Sequence, residues 1–430
     1  MTREEDDAAR ADGSGRSDAA RSGRSDREET GPDQRWAQPA DEPRCPIHGI
    51  RREKHRVVVG SYEAARRFLR LGRASTQAGF TAERIPDRLF RRRPLLISDG
   101  ELHDRQRREL ARFFAPSTID SEYTATIDAR AEELAKGLAE RGRIRLDEES
   151  LLFSVEIAAR IVGLTASSTR GLARRLELFF DQPHADYSRP DLGRSRTDWA
   201  LAAFRGLRAV AALYVCDVAP AMRKHRRDPE SDVMGYLMDS GASRVDILVE
   251  CMTYGTAGMV TTREFMGMAC WHLMRDPELC SRYRAAERPD RESILREIIR
   301  LEPVVGHVYR RVGDAEANSS EFEPGDLIDV DVRAVNTDPE LTGTCPMRLD
   351  PDRKAGRARA AGLSFGAGPH KCPGENLAIR ETDALLMRLL ALNPRIVSEP
   401  EIEWDSVIAG YRLRGFVLDV DGTGPPPKSS

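Results

Sequence analysis

The 430-residue sequence has no apolar run that approaches the ~18 residues of a membrane span, and no apolar stretch follows its charged N-terminus. A membrane anchor and a secretory leader are therefore not expected, and the protein is expected in the cytoplasm. Cysteines are few and scattered: Cys45, Cys216, Cys251, Cys270, Cys280, Cys345 and Cys372 form no C-x-x-C pair, which argues against a disulfide framework or a zinc site. Charge of one sign is also missing. With 67 basic against 70 acidic residues the net charge is -3, so nothing global attracts nucleic acid or an anionic membrane. No internal repeat is present.

What is there is enough apolar residue, 40%, for a substantial core. Residues 1–43 are almost all Asp, Glu, Arg, Ser, Gly and Ala, with Trp36 the one large apolar side chain after Met1, and are expected to be disordered. So is the Pro- and Gly-rich tail 422–430. The body, 44–421, lacks any linker-like stretch and reads as one domain. Apolar residues recur at three and four in Leu102–Phe114, Ile119–Leu138, Leu151–Val162, Leu201–Met222, Arg291–Leu301 and Asn376–Leu392. β-like runs are short: Arg56–Val59, Leu327–Val332 and Tyr411–Val420. A helix of ~30 residues, about 45 Å, is expected from Ser243, a capping residue, to about Arg275, just before Pro277. The fold class expected is mainly α with small β-sheets.

The densest local signal is Phe365 to Gly374, in which three glycines and two prolines surround His370 and Cys372. A thiolate in such a turn, just before a helix N-terminus, is stabilised as an anion and is a strong ligand for haem iron. A lone cysteine is usually a buried small hydrophobe; the other six are left as that. Upstream, Glu297 and Arg300 sit three apart on one helix face and can pair. The long helix carries Ala257, Gly258 and Thr261, a small-residue stretch in which a mid-helix glycine costs about 1 kcal/mol unless the space is needed. Thr261 could also simply bond back to the carbonyl one turn earlier. His103 and Arg107, four apart, can reach carboxylates from one helix face.

Together these segments resemble the cytochrome P450 family of bacterial type. Phe365 to Gly374 is similar to its haem-binding loop, F-G-x-G-x-H-x-C-x-G, at every fixed position; Glu297 and Arg300 match its E-x-x-R, 75 residues before Cys372; and Asp99 to Arg107 resembles its D-P-P-x-H-x-x-x-R, with Gly100 for the first helical proline. The resemblance covers roughly Val57 to Val420. It implies the triangular-prism P450 fold and haem b (iron protoporphyrin IX), with Cys372 as the metal ligand and His103, Arg107, Arg310 and His370 around the propionates. Arg310 stands one residue after the family's usual arginine position, here Tyr309. Arg348, in Pro346-Met347-Arg348-Leu349, is assigned by resemblance to an ion-pair network with Glu297 and Arg300. Ala257, Gly258 and Thr261 take the dioxygen-side places. There Val260 replaces the acid that usually precedes the threonine, and Glu264 is expected in a salt bridge.

The activity implied is reductive dioxygen activation and oxidation of a small organic molecule, in secondary metabolism, by a monomer fed by a ferredoxin and ferredoxin reductase. Lys371, Arg105, Arg108 and Arg112 are the docking patch this suggests. Substrate contacts are implied for Ala78–Phe90, Phe179–Asp191, Tyr254 and Val304–His307. Two other readings stay open: oxidation without oxygen insertion, such as aryl coupling, ring closure or desaturation, and a haem-thiolate binding or sensing protein.

Overall fold

The computed structural model describes residues 48–71, 75–79, 88, 90–187, 189–313, 322–343, 345–353 and 360–420. The tails 1–43 and 422–430 lie outside these residues, as do the domain limits 44–47 and 421 and most of the expected substrate segment, 80–87 and 89.

The long helix is the axis of the molecule. It runs over Arg244–Arg275 and starts at a capping box, in which the Ser243 hydroxyl accepts from the Asp246 N–H and the Asp246 carboxylate accepts from the Ser243 N–H. It ends where Asp276 turns extended and caps a new helix whose first residue is Pro277. Its 32 residues span about 48 Å. From Thr262 to Leu273 it is buried all round, as a helix through the middle of a large core must be. Helices Leu146–Val162 and Glu375–Ala391 pack along it, and one continuous cluster including Phe153, Ile157, Val260, Phe265, Leu385 and Leu389 holds the three together. Each such fully buried side chain contributes about 1.5–3 kcal/mol.

The strands are short and set to the sides of this core. β1 (Ile50–Arg52), β2 (Val57–Val59), β3 (Ser75–Gln77), β5 (His307–Val312) and β6 (Leu327–Asp331) make a five-stranded sheet in the order β1-β2-β6-β5-β3, parallel only between β2 and β6. β4 (Arg143–Arg145), β7 (Arg395–Ser398) and β10 (Val417–Asp419) form a second sheet, and β8 (Glu401–Asp405) with β9 (Gly410–Arg414) a hairpin-like third. The mainly helical class is thus as expected.

Two details differ from expectation. The helix predicted over Leu102–Phe114 is α-helical at Gly100–Leu110 and continues as a tighter turn, Ala111–Phe114, because Ala115 must leave the helical region ahead of Pro116. Secondly, one helix, Arg196–His225, is long and apolar enough by length and composition to cross a membrane, although only 11% of its apolar window is buried.

Candidate functional site

The loop before helix Glu375–Ala391 is shaped by two glycines at φ +69°, Gly366 and Gly368. A side chain on Gly368 would collide with the Leu69 carbonyl, so the loop lies directly against helix Tyr62–Arg70. The Cys372 N–H donates to the Phe365 carbonyl at 2.8 Å and closes the turn. At its end the Gly374 N–H donates to the Cys372 sulfur, and the helix that follows adds the positive end of its dipole. Burial pushes the free thiol up, against the pull of the Gly374 N–H and of Arg107. Cys372 is nevertheless exposed as a residue, although protein atoms crowd its thiol.

Four nitrogen-bearing side chains converge beside this loop. His103 and His370 stack with ring centroids 4.0 Å apart. Arg107 donates to the Lys371 carbonyl at 2.5 Å, and burial pushes its guanidinium down. Arg310 lies on β5, where alternation turns Tyr309 to the opposite face; there Tyr309 stacks on Tyr187 at 4.0 Å. The arginine, displaced by one residue from the family position, therefore does point towards His370. The hub of the group is Asp99, a residue that the reading of the motif left without a role. It stands just before helix Gly100–Leu110 without capping it, and its carboxylate instead accepts from Arg310 (3.2 Å), His370 Nε2 (3.1 Å) and the Gln77 N–H (2.9 Å), which hold its carboxyl below the usual range. Burial lowers His370 to about 4, so at neutral pH its ring is uncharged and donates from Nε2.

On the long helix the Thr261 hydroxyl donates to the Ala257 carbonyl at 2.6 Å, the back-bond. Ala257 is exposed in a helix otherwise largely buried, and a side chain on Gly258 would meet only Ala158 at 3.6 Å, so the described residues leave open space beside these two. Val260 is 1% exposed and belongs to the core, facing away from that space. Glu264 is fully committed, to Arg263 (2.8 Å), Arg414 (3.0 Å) and the Leu413 N–H (2.7 Å). Neither supplies an acid to Thr261.

Behind the cysteine loop Glu297 and Arg300 form a bidentate pair, both contacts at 2.7 Å, and Arg300 also donates to the Asn336 and Pro346 carbonyls. The expected third arginine needs correction. Arg348 is exposed and offers only its carbonyl; the side chain that reaches Glu297 is Arg353, at 3.3 Å, which also donates to the Thr342 carbonyl at 2.6 Å. The chain turns between the two, and the turn presents the later arginine inward. Lys371, Arg105, Arg108 and Arg112 are all exposed, with Lys371 paired to Glu375 at 2.7 Å. Of the expected substrate contacts, Gly79, Tyr187, Val305 and His307 line a small cavity of about 40 Å³, together with Tyr309 and Ile408.

The family model "Cytochrome P450" matches residues 223–392, the stretch that holds the long helix, the Glu297–Arg300 pair and the Cys372 loop. Among curated proteins, cytochrome P450 734A4 of Oryza sativa subsp. japonica is 29% identical over 215 residues, 40% of each chain. The cyclooctat-9-en-7-ol 5-monooxygenase of Streptomyces melanosporofaciens is 27% identical over 351 residues, 71% of this chain and 73% of that one. The chain spans about two fifths of the length of the curated relatives it matches first. Among solved structures, P450BioI, determined with a hexadec-9Z-enoic acid ligated acyl carrier protein, superposes with a TM-score of 0.71 at 18% identity, covering 87% of this chain and 95% of that one; at such identity the likeness is one of fold.

Proposed function

The chain belongs to the cytochrome P450 family, and from that premise we propose that it is a haem-thiolate monooxygenase that oxidises a small organic molecule. The observation that carries this reading is Cys372: an exposed residue just before a helix N-terminus, with a backbone N–H aimed at its sulfur. The donor set fits haem b. Cys372 would hold the iron through its sulfur, and His103, Arg107, Arg310 and His370 would hold the propionates, since buried carboxylates need cationic or N–H partners. Bound haem supplies reductive activation of dioxygen, with a thiolate ligand pushing electron density to the metal.

The residues of the chain do the rest. The Gly374 N–H and the helix dipole stabilise the sulfur as the anion once it is coordinated, reversing the effect of burial on the free thiol. Glu297, Arg300 and Arg353 hold the segments that carry the loop. Ala257 and Gly258 leave room beside Thr261, whose hydroxyl can hold a proton at Oγ1 in place of its back-bond. The exposed Lys371, Arg105, Arg108 and Arg112 support docking of an acidic ferredoxin, itself served by a ferredoxin reductase, in the cytoplasm. We place the role in secondary metabolism; the Streptomyces relative is named for oxidation of one small organic alcohol, cyclooctat-9-en-7-ol.

A second reading, oxidation without oxygen insertion, is favoured by one observation: neither Val260 nor Glu264 places an acid beside Thr261. Turnover under heavy-isotope dioxygen with a surrogate ferredoxin system tests both. Product carrying one heavy oxygen atom is expected; a dehydrogenated or coupled product without it supports the second reading, and no oxidation with any tested substrate contradicts both.

A further inference from the structure

In the first half of the long helix two buried polar atoms have no hydrogen-bond partner among the described residues: Oε2 of Glu250, which is 1% exposed, and the hydroxyl of Tyr254, which is 9% exposed. They lie one turn apart, and the steps 250, 254, 257 and 261 keep them on the helix face of Ala257 and Thr261. Helical side chains lean towards the N-terminus, so the Tyr254 ring reaches back over the turn of Glu250. Phe114 stacks on that ring at 5.3 Å and fixes it. The other oxygen of Glu250 accepts the Leu95 N–H at 3.0 Å, which orients the carboxyl. Between Tyr254 and Thr261 the exposed methyl of Ala257 leaves space that water can fill.

Resting on the monooxygenase reading above, we infer that Glu250 and Tyr254 are the internal proton source of the site, in place of the acid that Val260 does not provide. The carboxylic acid of Glu250 releases its proton from Oε2 to the Tyr254 hydroxyl or an intervening water. The phenol passes its own proton towards Thr261 as it accepts this one, and the Glu250 carboxylate is reprotonated from solvent by way of the half-buried Arg92–Glu109 pair. No charge accumulates on Tyr254, whose phenol burial holds well above its ordinary range.

Burial raises Glu250 to about 7, so it is a proton donor below neutrality and a carboxylate above it. The groups that face it are consistent with this. Asp246, one turn earlier, and the buried Cys251 and Tyr254 do not favour a second negative charge, whereas Arg92 does. The Arg92 guanidinium donates to Glu109 at 2.5 Å through one terminal nitrogen, while its Nε has no partner among the described residues; Tyr236 lies beside that pair and Arg107 beyond Tyr254. Glu250 and Tyr254 act through Thr261 and are positioning residues.

The test is made on the purified, haem-loaded full chain, with Glu250→Gln and Tyr254→Phe. Infrared titration of the wild type is expected to show a protonated carboxylic acid that disappears with a midpoint near 7 and is absent from Glu250→Gln. Product formed per reductant consumed is expected to fall in the wild type as pH rises through that midpoint. In Glu250→Gln it should fall about 10²-fold and lose the pH dependence. Tyr254→Phe should keep the infrared signal and lose coupling. A carboxylate that stays ionised throughout, as pairing with Arg92 would make it, overturns the inference, and so does wild-type coupling in Glu250→Gln. If that variant does not load haem, an unchanged pH profile and coupling in Tyr254→Phe overturn it equally. A wild type that consumes no reductant contradicts the monooxygenase reading itself, whatever the infrared titration shows.

Discussion

Around Cys372 the charged groups are partnered: Glu297 with Arg300 and Arg353, Asp99 with Arg310 and His370, Arg107 with the Lys371 carbonyl. On the long helix, Glu250 and Tyr254 each keep a buried polar atom without a partner among the described residues. The contrast separates two uses of buried polarity. A pair that satisfies itself fixes geometry and resists change, because losing one partner leaves an isolated buried charge. A group left unsatisfied costs stability and is available to exchange a proton.

Breaking the partnered side should have the largest effect on stability. Glu297→Ala strands Arg300, which is fully buried, and is expected to cost about 3–5 kcal/mol in a denaturant titration. Arg353→Ala should cost less, about 1–3 kcal/mol, by leaving one Glu297 oxygen and the Thr342 carbonyl under-satisfied. Arg348→Ala, at an exposed side chain, should stay within about 0.5 kcal/mol. An Arg348→Ala loss larger than that of Arg353→Ala would restore the arginine assigned by resemblance.

The unpartnered side should respond in chemistry more than in stability. Thr261→Ala removes a hydroxyl that among the described residues bonds locally, to the Ala257 carbonyl, so denaturation should shift by less than about 1 kcal/mol while product per reductant falls several-fold. Equal losses in both measurements would show that Thr261 is a structural residue and that the two sides do not differ as described.

How much of this could be read from the residues follows the same division. The Cys372 loop, the cap at Ser243 and the His103–Arg107 spacing were legible because each is local: a turn, a cap and a helix face are written in a few consecutive residues. Arg353 in place of Arg348 was not, because spacing along an irregular segment does not say which side chain the turn directs inward. Asp99 stood in a recognised motif, yet its work is done with partners on β3, β5 and the cysteine loop, far apart in the chain. Glu250 reads as an ordinary charged residue in a capped helix; only the packing of Leu95 against it reveals a buried acid. Val260 shows the opposite case, since its departure from the family pattern was visible at once and the structure adds that it faces the core.

The account rests on Cys372 as a haem ligand, and the most direct test is the absorption spectrum of the ferrous carbon monoxide complex in the wild type and in Cys372→Ser. A red-shifted Soret band of thiolate type is predicted for the wild type and its loss for the variant, because a serine hydroxyl offers no soft anionic ligand. A wild type without that band, or a variant that retains it, would contradict the assignment.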